Sequence, residues 1–351
     1  MMRRALELAR QGWGRVHPNP MVGAVVAREG QVIGEGYHAE FGGPHAETVA
    51  LAMAGDRARG ATLFVTLEPC VHAGKQPACT DLVAGSGIAR VVVAMEDPHP
   101  VARGGAAGLA AAGVEVAVGL EREAAERLNQ VYLRAQHGSA RPFVAVKLAT
   151  SIDHRIADQA GVSRWITGEE ARDWVHWFRA GFGAIGVGGR TAQVDDPMLT
   201  VRGALEPRTP PVRVVFLGRR RPGADSALVR TARDVPTVFL GPAMSAAEEA
   251  QWAERGVDHV PVQTLEEGLM TLKRRGIDSI VIEGGGRLTG ALLAEDLVDQ
   301  LALIVSPVWL GELGIPASRG YEVPSLLQAD RWITTERRSL GQDTMILFDR
   351  R

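Results

Sequence analysis

Apolar runs of strand length alternate with segments of helical spacing along residues 1–140 of this 351-residue chain. The runs at 21–29 and 31–38 flank the tight turn Glu29-Gly30, which predicts a hairpin. Further strands are predicted at 61–69, 89–96 and 114–119, and helices at 1–14, 45–55, 78–87, 104–113 and 121–137. This alternation predicts a three-layer α/β domain with a partly parallel sheet.

A second α/β pattern begins after the small, polar segment 137–142, which ends in proline and is the best linker candidate. Strands are predicted at 143–151, 184–189, 210–218, 278–286 and 300–307, and helices at 168–181, 266–276 and 287–297. Three arginines at 219–221 fall in a turn between strands, where they are either solvated surface or a contact for phosphate. We therefore predict two domains, residues 1–140 and 141–351, each large enough to bury a core.

The charge balance argues against several classes of partner. Apolar residues make up 46% of the chain and charged residues 23%, an ordinary mix for a globular protein. Lys and Arg number 39 against 41 Asp and Glu, so the net charge of −2 provides no basic field to collect nucleic acid or anionic membrane. Every long apolar stretch is interrupted, and the N-terminal segment lacks the apolar core of a signal peptide. We expect a cytoplasmic protein with no nucleic-acid or membrane partner.

Only two cysteines are present, Cys70 and Cys79. One disulfide would account for both, but a chain of this length without a secretory signal is expected in a reducing compartment, where both are free thiols. Arginine outnumbers lysine 36 to 3. The position of each lysine (Lys75, Lys147 and Lys273) therefore carries more weight than usual.

His45 and the two cysteines have the chemistry of a catalytic zinc site. One imidazole and two thiolates supply three ligands and leave the fourth tetrahedral position for water, whose pKa the metal lowers. Glu47 follows His45 by two residues, near a predicted helix start, so it is able to reach that water without being a ligand. Pro69-Cys70 follows a predicted strand at what we take as a helix start, whose dipole favours the thiolate. The order His-x-Glu, Pro-Cys and a second Cys is typical of zinc deaminases.

Taken singly, each part of this signature has an ordinary explanation. A His-x-Glu pair on a helix is mostly surface chemistry, and two cysteines nine positions apart are mostly buried thiols. All four residues in order, with proline before the first cysteine, favour zinc. The spacing departs from the common Cys-x-x-Cys, because the eight residues 71–78 separate the cysteines.

Four segments resemble one enzyme family in particular. They are similar to the N-terminal half of the bifunctional deaminase/reductase of riboflavin biosynthesis, and they read HPNPMVGAVV, GEGYHAEFGGPHAE, TLEPCVHAGKQPAC and EDPHP. In that family the longer insert between the two cysteines is the rule. The resemblance implies a cytidine-deaminase-like domain that holds one Zn²⁺ through His45, Cys70 and Cys79 and uses Glu47 as proton shuttle.

The same resemblance implies four substrate contacts in this domain. Asn19 would hydrogen-bond the pyrimidine, His38 would lie beside the base, and His72 and Lys75 would grip the ribose phosphate. A loop lysine beside the metal suits a phosphorylated substrate. The alternatives are a turn residue between two prolines for Asn19 and plain surface for His38 and Lys75.

The second domain has no Gly-x-Gly-x-x-Gly after its first strand, so a Rossmann dinucleotide site is not indicated. It does have three glycines, at 284–286, between a predicted strand and a predicted helix. Exposed backbone N–H groups at such a place favour phosphate, although glycine runs at strand ends are often just tight turns.

Four segments of the second domain are similar, in order, to the reductase half of the same family: KLATSIDHRIA, SRWITGEEARDWVHWFRA, GGRTAQVDDPMLTVR and VIEGGGRLTGALL. This resemblance implies a dihydrofolate-reductase-like fold that uses NADPH. The implied cofactor contacts are Ala149, Trp165, Thr191, Asp195, Gly285, Gly286, Arg287, Leu288, Thr289, Gly290 and Ala291. The implied substrate contacts are Ser163, Arg179, Leu199, Arg202 and Glu283. Arg179 and Arg202 suit a ribose phosphate, because a guanidinium fork matches it bidentately. Lys147 is expected near the base carbonyl, and Asp195 is expected to assist proton delivery as hydride arrives.

Some of these residues have structural alternatives, and two positions depart from the family. Trp165 is alternatively core, Arg179 a cation at a helix C-terminus and Asp195 part of a turn. The family usually has glycine where this chain has His154, and commonly has Asp-Ser after the strand that here ends at 216–218, where the adenosine end of the cofactor is expected. The second departure bears on the choice between NADPH and NADH.

The resemblance as a whole implies a bifunctional enzyme. It would deaminate 2,5-diamino-6-(5-phosphoribosylamino)pyrimidin-4-one with zinc and then reduce the ribosyl group to a ribityl chain with NADPH. Two alternatives stay open: a nucleic-acid-editing deaminase, which the charge balance and the long insert disfavour, and a zinc deaminase whose second domain is degenerate or repurposed. Two-domain members of the family are often oligomeric, which implies a homo-oligomer.

Overall fold

The computed structural model describes residues 1–72, 77–164, 166–329 and 332–351. The chain divides into two compact units, Met1–Ser139 and Ala140–Arg351. Within the described segments, no helix combines the length and the apolar character needed to cross a bilayer.

The N-terminal unit is built on one mixed sheet with the strand order β2-β1-β3-β4-β5. β1 pairs antiparallel with β2 and β3, whereas β3, β4 and β5 are parallel, as the partly parallel prediction requires. The strands are β1 Gly23–Arg28, β2 Gln31–Tyr37, β3 Thr62–Leu67, β4 Arg90–Met95 and β5 Glu115–Val118. The helices are α1 Met2–Ala9, α2 Ala46–Ala54, α3 Cys79–Gly85, α4 Gly105–Ala111, α5 Arg122–Leu128 and α6 Gln130–Gln136.

Alternating strand residues send apolar side chains to both faces of this sheet, because successive side chains of a strand point to opposite sides. Val26 and Val91 belong to a core layer shared with α2, α3 and α4. Val25 and Val92 belong to a second layer shared with α1 and α5. Two helical layers around one sheet confirm the predicted three-layer architecture.

The single helix predicted over 121–137 is wrong, because the structure breaks it at Asn129. The buried amide of Asn129 accepts the backbone N–H of Met21 at 2.8 Å and donates to the Met21 carbonyl at 3.0 Å. The residue thus satisfies a distant backbone segment, and the chain bends there into two short helices, α5 and α6.

The C-terminal unit contains a larger sheet with the order β11-β10-β9-β8-β12-β6-β13-β16-β15. All pairings from β11 to β13 are parallel, and β16 and β15 extend the sheet antiparallel. A small β7–β14 pair lies outside this sheet. The strands are β6 Phe143–Ser151, β7 Arg155–Ala157, β8 Ala184–Gly188, β9 Val212–Phe216, β10 Thr237–Gly241, β11 Val257–Pro261, β12 Ser279–Ile282, β13 Gln300–Ser306, β14 Ile315–Pro316, β15 Trp332–Leu340 and β16 Asp343–Arg350. The helices are α7 Glu169–Ala180, α8 Gly189–Asp195, α9 Ala227–Arg230, α10 Ala246–Glu254, α11 Leu265–Arg274 and α12 Gly286–Ala294.

Parallel strands align their carboxyl ends at one edge of a sheet, and this edge is where open α/β folds bind ligands. In the C-terminal unit the segments that leave β8, β9, β10, β11 and β12 at that edge all border one cleft. Its walls hold many of the residues that the sequence predicts for the reductase.

Candidate active sites

Three potential metal ligands meet in the N-terminal unit. Nδ1 of His45 lies 3.1 Å from Sγ of Cys79 and 3.6 Å from Sγ of Cys70, and the three atoms lie within 4.8 Å of one another. Ligands of a tetrahedral zinc ion, at about 2.0 Å for nitrogen and 2.3 Å for sulfur, lie roughly 3.5–3.8 Å apart. The donor set and its spacing therefore fit Zn²⁺ and leave a fourth position for water.

Local structure brings these ligands together from three segments. His45 immediately precedes α2, Cys70 follows β3, and Cys79 is the first residue of α3. The helix start predicted at Cys70 is therefore wrong, because the insert delays the helix to Cys79. Hydrogen bonds from Cys79 and from His45 outweigh burial and hold the pKa of the Cys70 thiol well below its usual range. A thiolate is the form that binds a metal.

Glu47 lies in the first turn of α2 and is 3% exposed. Burial raises the pKa of its carboxyl, although its own backbone N–H and the charge of His45 oppose the shift. It lies beside Cys79 and outside the three-residue ligand set. A buried carboxyl whose pKa moves toward neutrality is suited to take up a proton and return it.

A second buried carboxylate, Glu68, holds the loop that carries Cys70. It accepts the backbone N–H of Asp97 at 3.1 Å and that of Ala106 at 2.8 Å. The loop after β3, the loop after β4 and the start of α4 are thereby tied to one side chain. Glu68 was not among the predicted site residues; its signal in the sequence is an acidic residue directly before Pro69-Cys70.

Asn19 and His38, two predicted substrate contacts, hydrogen-bond each other near the ligand set. His38 Nδ1 lies 3.0 Å from the Pro44 carbonyl, which only accepts, so Nδ1 carries the proton and Nε2 accepts from Asn19 Nδ2 at 3.1 Å. Burial lowers the pKa of His38, consistent with a neutral ring. The rings of His38 and His45 are 5.7 Å apart. The pair thus fixes the Asn19 amide with Oδ1 available as an acceptor.

The other two predicted contacts belong to the insert. Nδ1 of His72 is buried and has no hydrogen-bond partner in the part of the chain that the structure describes. Lys75 lies outside the described residues.

The cleft of the C-terminal unit has a volume of about 1480 Å³. Ordinary small-ligand sites occupy about 300–1,000 Å³, so this space accommodates a dinucleotide together with a substrate. Its walls include the predicted residues Lys147, Ala149, Ser163, Arg179, Thr191, Asp195, Leu199, Glu283, Gly285, Gly286, Arg287, Leu288 and Ala291.

Glycines shape the wall where β12 runs into α12. A Cβ at Gly286 would overlap the Pro316 carbonyl, so only glycine allows this close approach. Gly285 caps the nine-residue α12, and backbone N–H groups at such a helix N-terminus suit a phosphate. These features fit a nicotinamide dinucleotide.

Lys147, Arg179 and Glu283 form a largely buried ionic cluster in one wall of the cleft, with side chains 11–14% exposed. Arg179 donates through Nε to Oε1 of Glu283 at 2.5 Å and through Nη2 to Oε2 at 2.9 Å, and Lys147 Nζ lies 3.3 Å from Oε2. Burial alone would raise the pKa of Glu283, but the charges of Arg179 and Lys147 outweigh it and hold that pKa well below its usual range. The fork of Arg179 that we expected to face a phosphate is therefore engaged by Glu283.

Asp195 ends α8 and faces the same cleft. Burial raises the pKa of its carboxyl, and the charge of Arg164 opposes this shift. Arg164 also donates to the Asp195 carbonyl at 2.7 Å. A carboxyl with a raised pKa is able to act as a proton donor.

Some predicted residues of this unit lie elsewhere or are not described. Thr289 and Gly290 are buried in α12 and are not among the wall residues. Arg202 is exposed and is not among the wall residues, and its backbone N–H donates to Nδ1 of His176 at 3.2 Å. Trp165 lies outside the described residues. His154 has φ of 58°, the left-handed region that favours the glycine of the family.

Comparison with known proteins assigns both units. Residues 1–95 match the cytidine and deoxycytidylate deaminase zinc-binding region, and residues 142–345 match the RibD C-terminal domain. The riboflavin biosynthesis protein RibD of Aquifex aeolicus is 38% identical over 352 residues, which cover 99% of this chain and 97% of that protein. The chain belongs to the RibD family. The RibD protein of Escherichia coli is also 38% identical, with 98% of this chain and 97% of that protein covered.

Solved RibD structures share the architecture over the full chain. RibD of Acinetobacter baumannii, form 1, superposes with a TM-score of 0.82 at 35% identity and covers 100% of this chain and 98% of that one. A diaminohydroxyphosphoribosylaminopyrimidine deaminase/5-amino-6-(5-phosphoribosylamino)uracil reductase from Thermotoga maritima gives 0.82 at 34% identity, with 100% and 97% covered.

These comparisons confirm the family and the fold class expected from the motifs. The chain is a bifunctional riboflavin-biosynthesis enzyme that acts on a small molecule, with a zinc-binding deaminase and a reductase that uses NADPH. An editing deaminase and a degenerate reductase are both disfavoured.

Proposed function

We propose that the N-terminal unit hydrolytically deaminates 2,5-diamino-6-(5-phosphoribosylamino)pyrimidin-4-one and that the C-terminal unit reduces the ribosyl group of the product to a ribityl chain. The observation that carries the proposal is the meeting of His45, Cys70 and Cys79 beside buried Glu47, in the same chain as a cleft with a Lys147–Glu283–Arg179 cluster. The domain assignment follows as 1–140 for the deaminase and 141–351 for the reductase.

In the deaminase, His45, Cys70 and Cys79 would hold Zn²⁺, which would act as a Lewis acid and lower the pKa of a water molecule. Glu47 would accept a proton from the attacking water and donate it to the leaving nitrogen, which departs as ammonia. Asn19, oriented by His38, hydrogen-bonds the pyrimidine. His72 and Lys75 hold the ribose phosphate.

In the reductase, NADPH would supply the hydride for reduction of the sugar at C1′. Lys147 contacts the base, and Glu283 holds Lys147 and Arg179 in place at the substrate. Asp195, whose pKa burial raises, delivers the proton as the sugar ring opens. Ser163, Leu199 and Arg202 complete the substrate site, and Ala149, Trp165, Thr191 and the segment 285–291 hold the cofactor.

We further propose a cytoplasmic homo-oligomer with no nucleic-acid or membrane partner. The net charge of −2 supports the absence of a nucleic-acid partner, because such binding depends on neutralising phosphates with clustered cations.

A product mass spectrum tests both halves at once. Purified, zinc-loaded protein receives the diaminopyrimidine ribosyl phosphate with and without NADPH. We expect deamination alone without NADPH, and deamination followed by reduction with it. Deamination in both tubes without reduction would leave a zinc deaminase with a repurposed second domain. No change in either tube would return the editing-deaminase alternative, with nucleosides and RNA as the next substrates.

A further inference from the structure

Helix α7 holds one segment at the reductase cleft through two hydrogen bonds. Nη1 of Arg179 donates to the Thr200 carbonyl at 3.0 Å, and the backbone N–H of Arg202 donates to Nδ1 of His176 at 3.2 Å. His176 and Arg179 are three positions apart and are therefore neighbours on one face of the helix. The segment 199–202 is thus joined to α7 by one of its carbonyls and by one of its N–H groups.

The backbone of this segment depends on such support. Residues 196–211, all of which the structure describes, contain neither helix nor strand. Leu199, which lines the cleft, has φ of 47°, a left-handed conformation that is uncommon outside glycine. A residue in a sparsely populated conformation persists only where the surrounding contacts determine it. The two hydrogen bonds to α7 are contacts of this kind.

Arg202 is the arginine of this region that is available to a ligand. All three nitrogens of the Arg179 guanidinium donate within the protein, Nε and Nη2 to Glu283 and Nη1 to Thr200. Arg202 is exposed, and its side chain forms no ion pair or hydrogen bond with any other residue that the structure describes. Three residues of extended chain span at most about 11 Å, so Arg202 starts close to Leu199 in the cleft wall. Its long side chain is therefore the one able to meet a phosphate there.

The hydrogen bond to Arg202 requires a neutral His176. A backbone N–H only donates, so Nδ1 accepts and the proton of the ring is on Nε2. Burial, then the charges of Arg179 and Arg202, lower the pKa of His176. The charges of Glu283 and Asp173 oppose this shift and are outweighed. The ring is therefore neutral at pH 7.5, and its protonation at lower pH would remove the acceptor.

We propose that His176 is a positioning residue of the reductase, whose Nδ1 fixes the backbone of Arg202 and thereby places that guanidinium at the ribose phosphate of the substrate. The inference rests on the proposed reductase function and adds to it a residue that is not in the cleft wall. A guanidinium matches a phosphate bidentately, and that match depends on where the side chain starts. Loss of His176 should therefore weaken substrate binding and leave the chemical step intact.

Steady-state kinetics separate this role from a catalytic one. Full-length protein receives saturating NADPH and varied concentrations of the deaminated phosphoribosyl substrate. His176→Ala should raise KM by about 2- to 10-fold, the range for one lost hydrogen bond, and keep kcat within about twofold of the parent. His176→Asn should keep the parent KM, because Oδ1 of asparagine replaces Nδ1 as acceptor. His137→Ala, at an exposed position after α6, is the control.

A double-mutant cycle tests whether His176 acts through Arg202. Arg202→Ala alone should raise KM by about 10- to 100-fold, the range for a lost hydrogen bond to a charged group. His176→Ala in that background should add little, because residues that act on the substrate through one another do not contribute additively. Fully additive effects on KM would overturn the positioning role.

The pH profile tests the same hydrogen bond without the alanine variant, should that variant fail to fold. From about pH 8 to about pH 5, the KM of the parent should rise relative to that of His176→Asn, since protonation removes the acceptor from the parent alone. The substrate phosphate titrates equally in both experiments, so the ratio of the KM values reports on His176.

The outcomes distinguish the inference from the function on which it rests. A KM ratio that stays constant with pH, or a fall in kcat of His176→Ala at unchanged KM, would overturn the positioning role and leave the reductase function standing. A parent that does not reduce the deaminated substrate would overturn both.

Discussion

Arg179 and Glu283 form a bidentate ion pair, with Nε to Oε1 at 2.5 Å and Nη2 to Oε2 at 2.9 Å. The pair joins α7 to the end of β12, and Lys147 from β6 adds a second cation to the same carboxylate. The single carboxylate of Glu283 therefore balances the charges of Arg179 and Lys147, and it holds both side chains in position in the cleft.

Glu283→Gln should destabilise the C-terminal unit. Removing one partner of a buried ion pair costs about 3–5 kcal/mol, because the remaining charges stay buried without compensation. Urea unfolding at pH 7.5 followed by tryptophan fluorescence is a selective measurement, since six of the seven tryptophans lie in residues 140–351. Glu266→Gln, at an exposed position in the first turn of α11, is the matched control.

The same variant gives a pH dependence with a definite sign. The pKa of Glu283 is depressed in the folded protein, so its stabilising contribution is present above the unfolded pKa, near 4.3, and is lost as the pH falls below it. The difference in stability between parent and Glu283→Gln should therefore shrink below about pH 4. A difference that stays constant from pH 7.5 into the acid range would contradict the ionic origin of the effect.

Gly105→Ala should impair zinc binding although residue 105 is not a ligand. A Cβ there would overlap the carbonyl oxygen of Pro69, directly before Cys70, and would displace that ligand. Losses of roughly 10- to 100-fold in metal affinity are usual when the support of a ligand is disturbed. Competition with a chromogenic chelator measures the affinity.

Gly108→Ala on the same helix is the control for that experiment. A Cβ at Gly108 meets nothing within 4 Å. The substitution should keep zinc affinity and raise the stability of α4 by about 0.5–1 kcal/mol, because alanine loses less backbone entropy than glycine on folding. Equal zinc affinities for the two alanine variants would argue against the role of the Pro69 contact.

Glu47→Gln should retain zinc and the fold but lose deamination. A positioned general acid–base contributes roughly 10²- to 10⁴-fold, and glutamine cannot carry the proton. Ammonia release, zinc content and reduction of pre-deaminated substrate are measured on one preparation, and only the first should fall. Asp81→Asn, an exposed carboxylate in the first turn of α3, serves as control. Ammonia release by Glu47→Gln at the parent rate would remove Glu47 from the mechanism.

Asp195→Asn should stabilise the C-terminal unit at neutral pH and slow the reduction. Burial raises the pKa of Asp195, so folding becomes less favourable as the pH rises from the unfolded pKa through the higher folded pKa. The variant should therefore have a higher melting temperature than the parent at pH 7.5. This gain should vanish toward pH 3.5, where Asp195 is largely protonated in both the folded and the unfolded protein. Melting curves at the two pH values decide the matter; a variant less stable than the parent at pH 7.5 would refute the expected sign.

Local motifs explain why so much of the deaminase site was predictable. His45, Glu47, Cys70 and Cys79 carry their chemistry in residue type and spacing, and the hairpin of β1 and β2 follows from two apolar runs around Glu29-Gly30. The features that could not be predicted depend on contacts between residues that are far apart in the sequence. The helix break at Asn129 requires Met21, and the support of the Cys70 loop requires Glu68 to meet the start of α4.

Charged residues in β15 and β9 also made two features of the C-terminal unit hard to predict. The hairpin of β15 and β16 was not predicted, because Glu336, Arg337 and Arg338 interrupt the apolar pattern of a strand at the sheet edge. Arg213 in β9 is fully buried, and its guanidinium is satisfied by neutral acceptors such as Oγ1 of Thr237 at 2.6 Å. Burial lowers the pKa of this arginine to about 10. Its acceptors lie 15 to 24 residues away in the sequence, so the residue types around Arg213 do not predict its burial.

A Cβ at Gly189 would overlap the carbonyl oxygen of Arg220. The position of the turn after β9 is therefore set by backbone packing and does not depend on the side chains of the turn. Because this contact involves only backbone atoms, we expect the side chains at positions 219 and 220 to be replaceable without loss of the fold. Substitutions at these two positions are therefore expected to change the charge of the cleft wall without changing its shape.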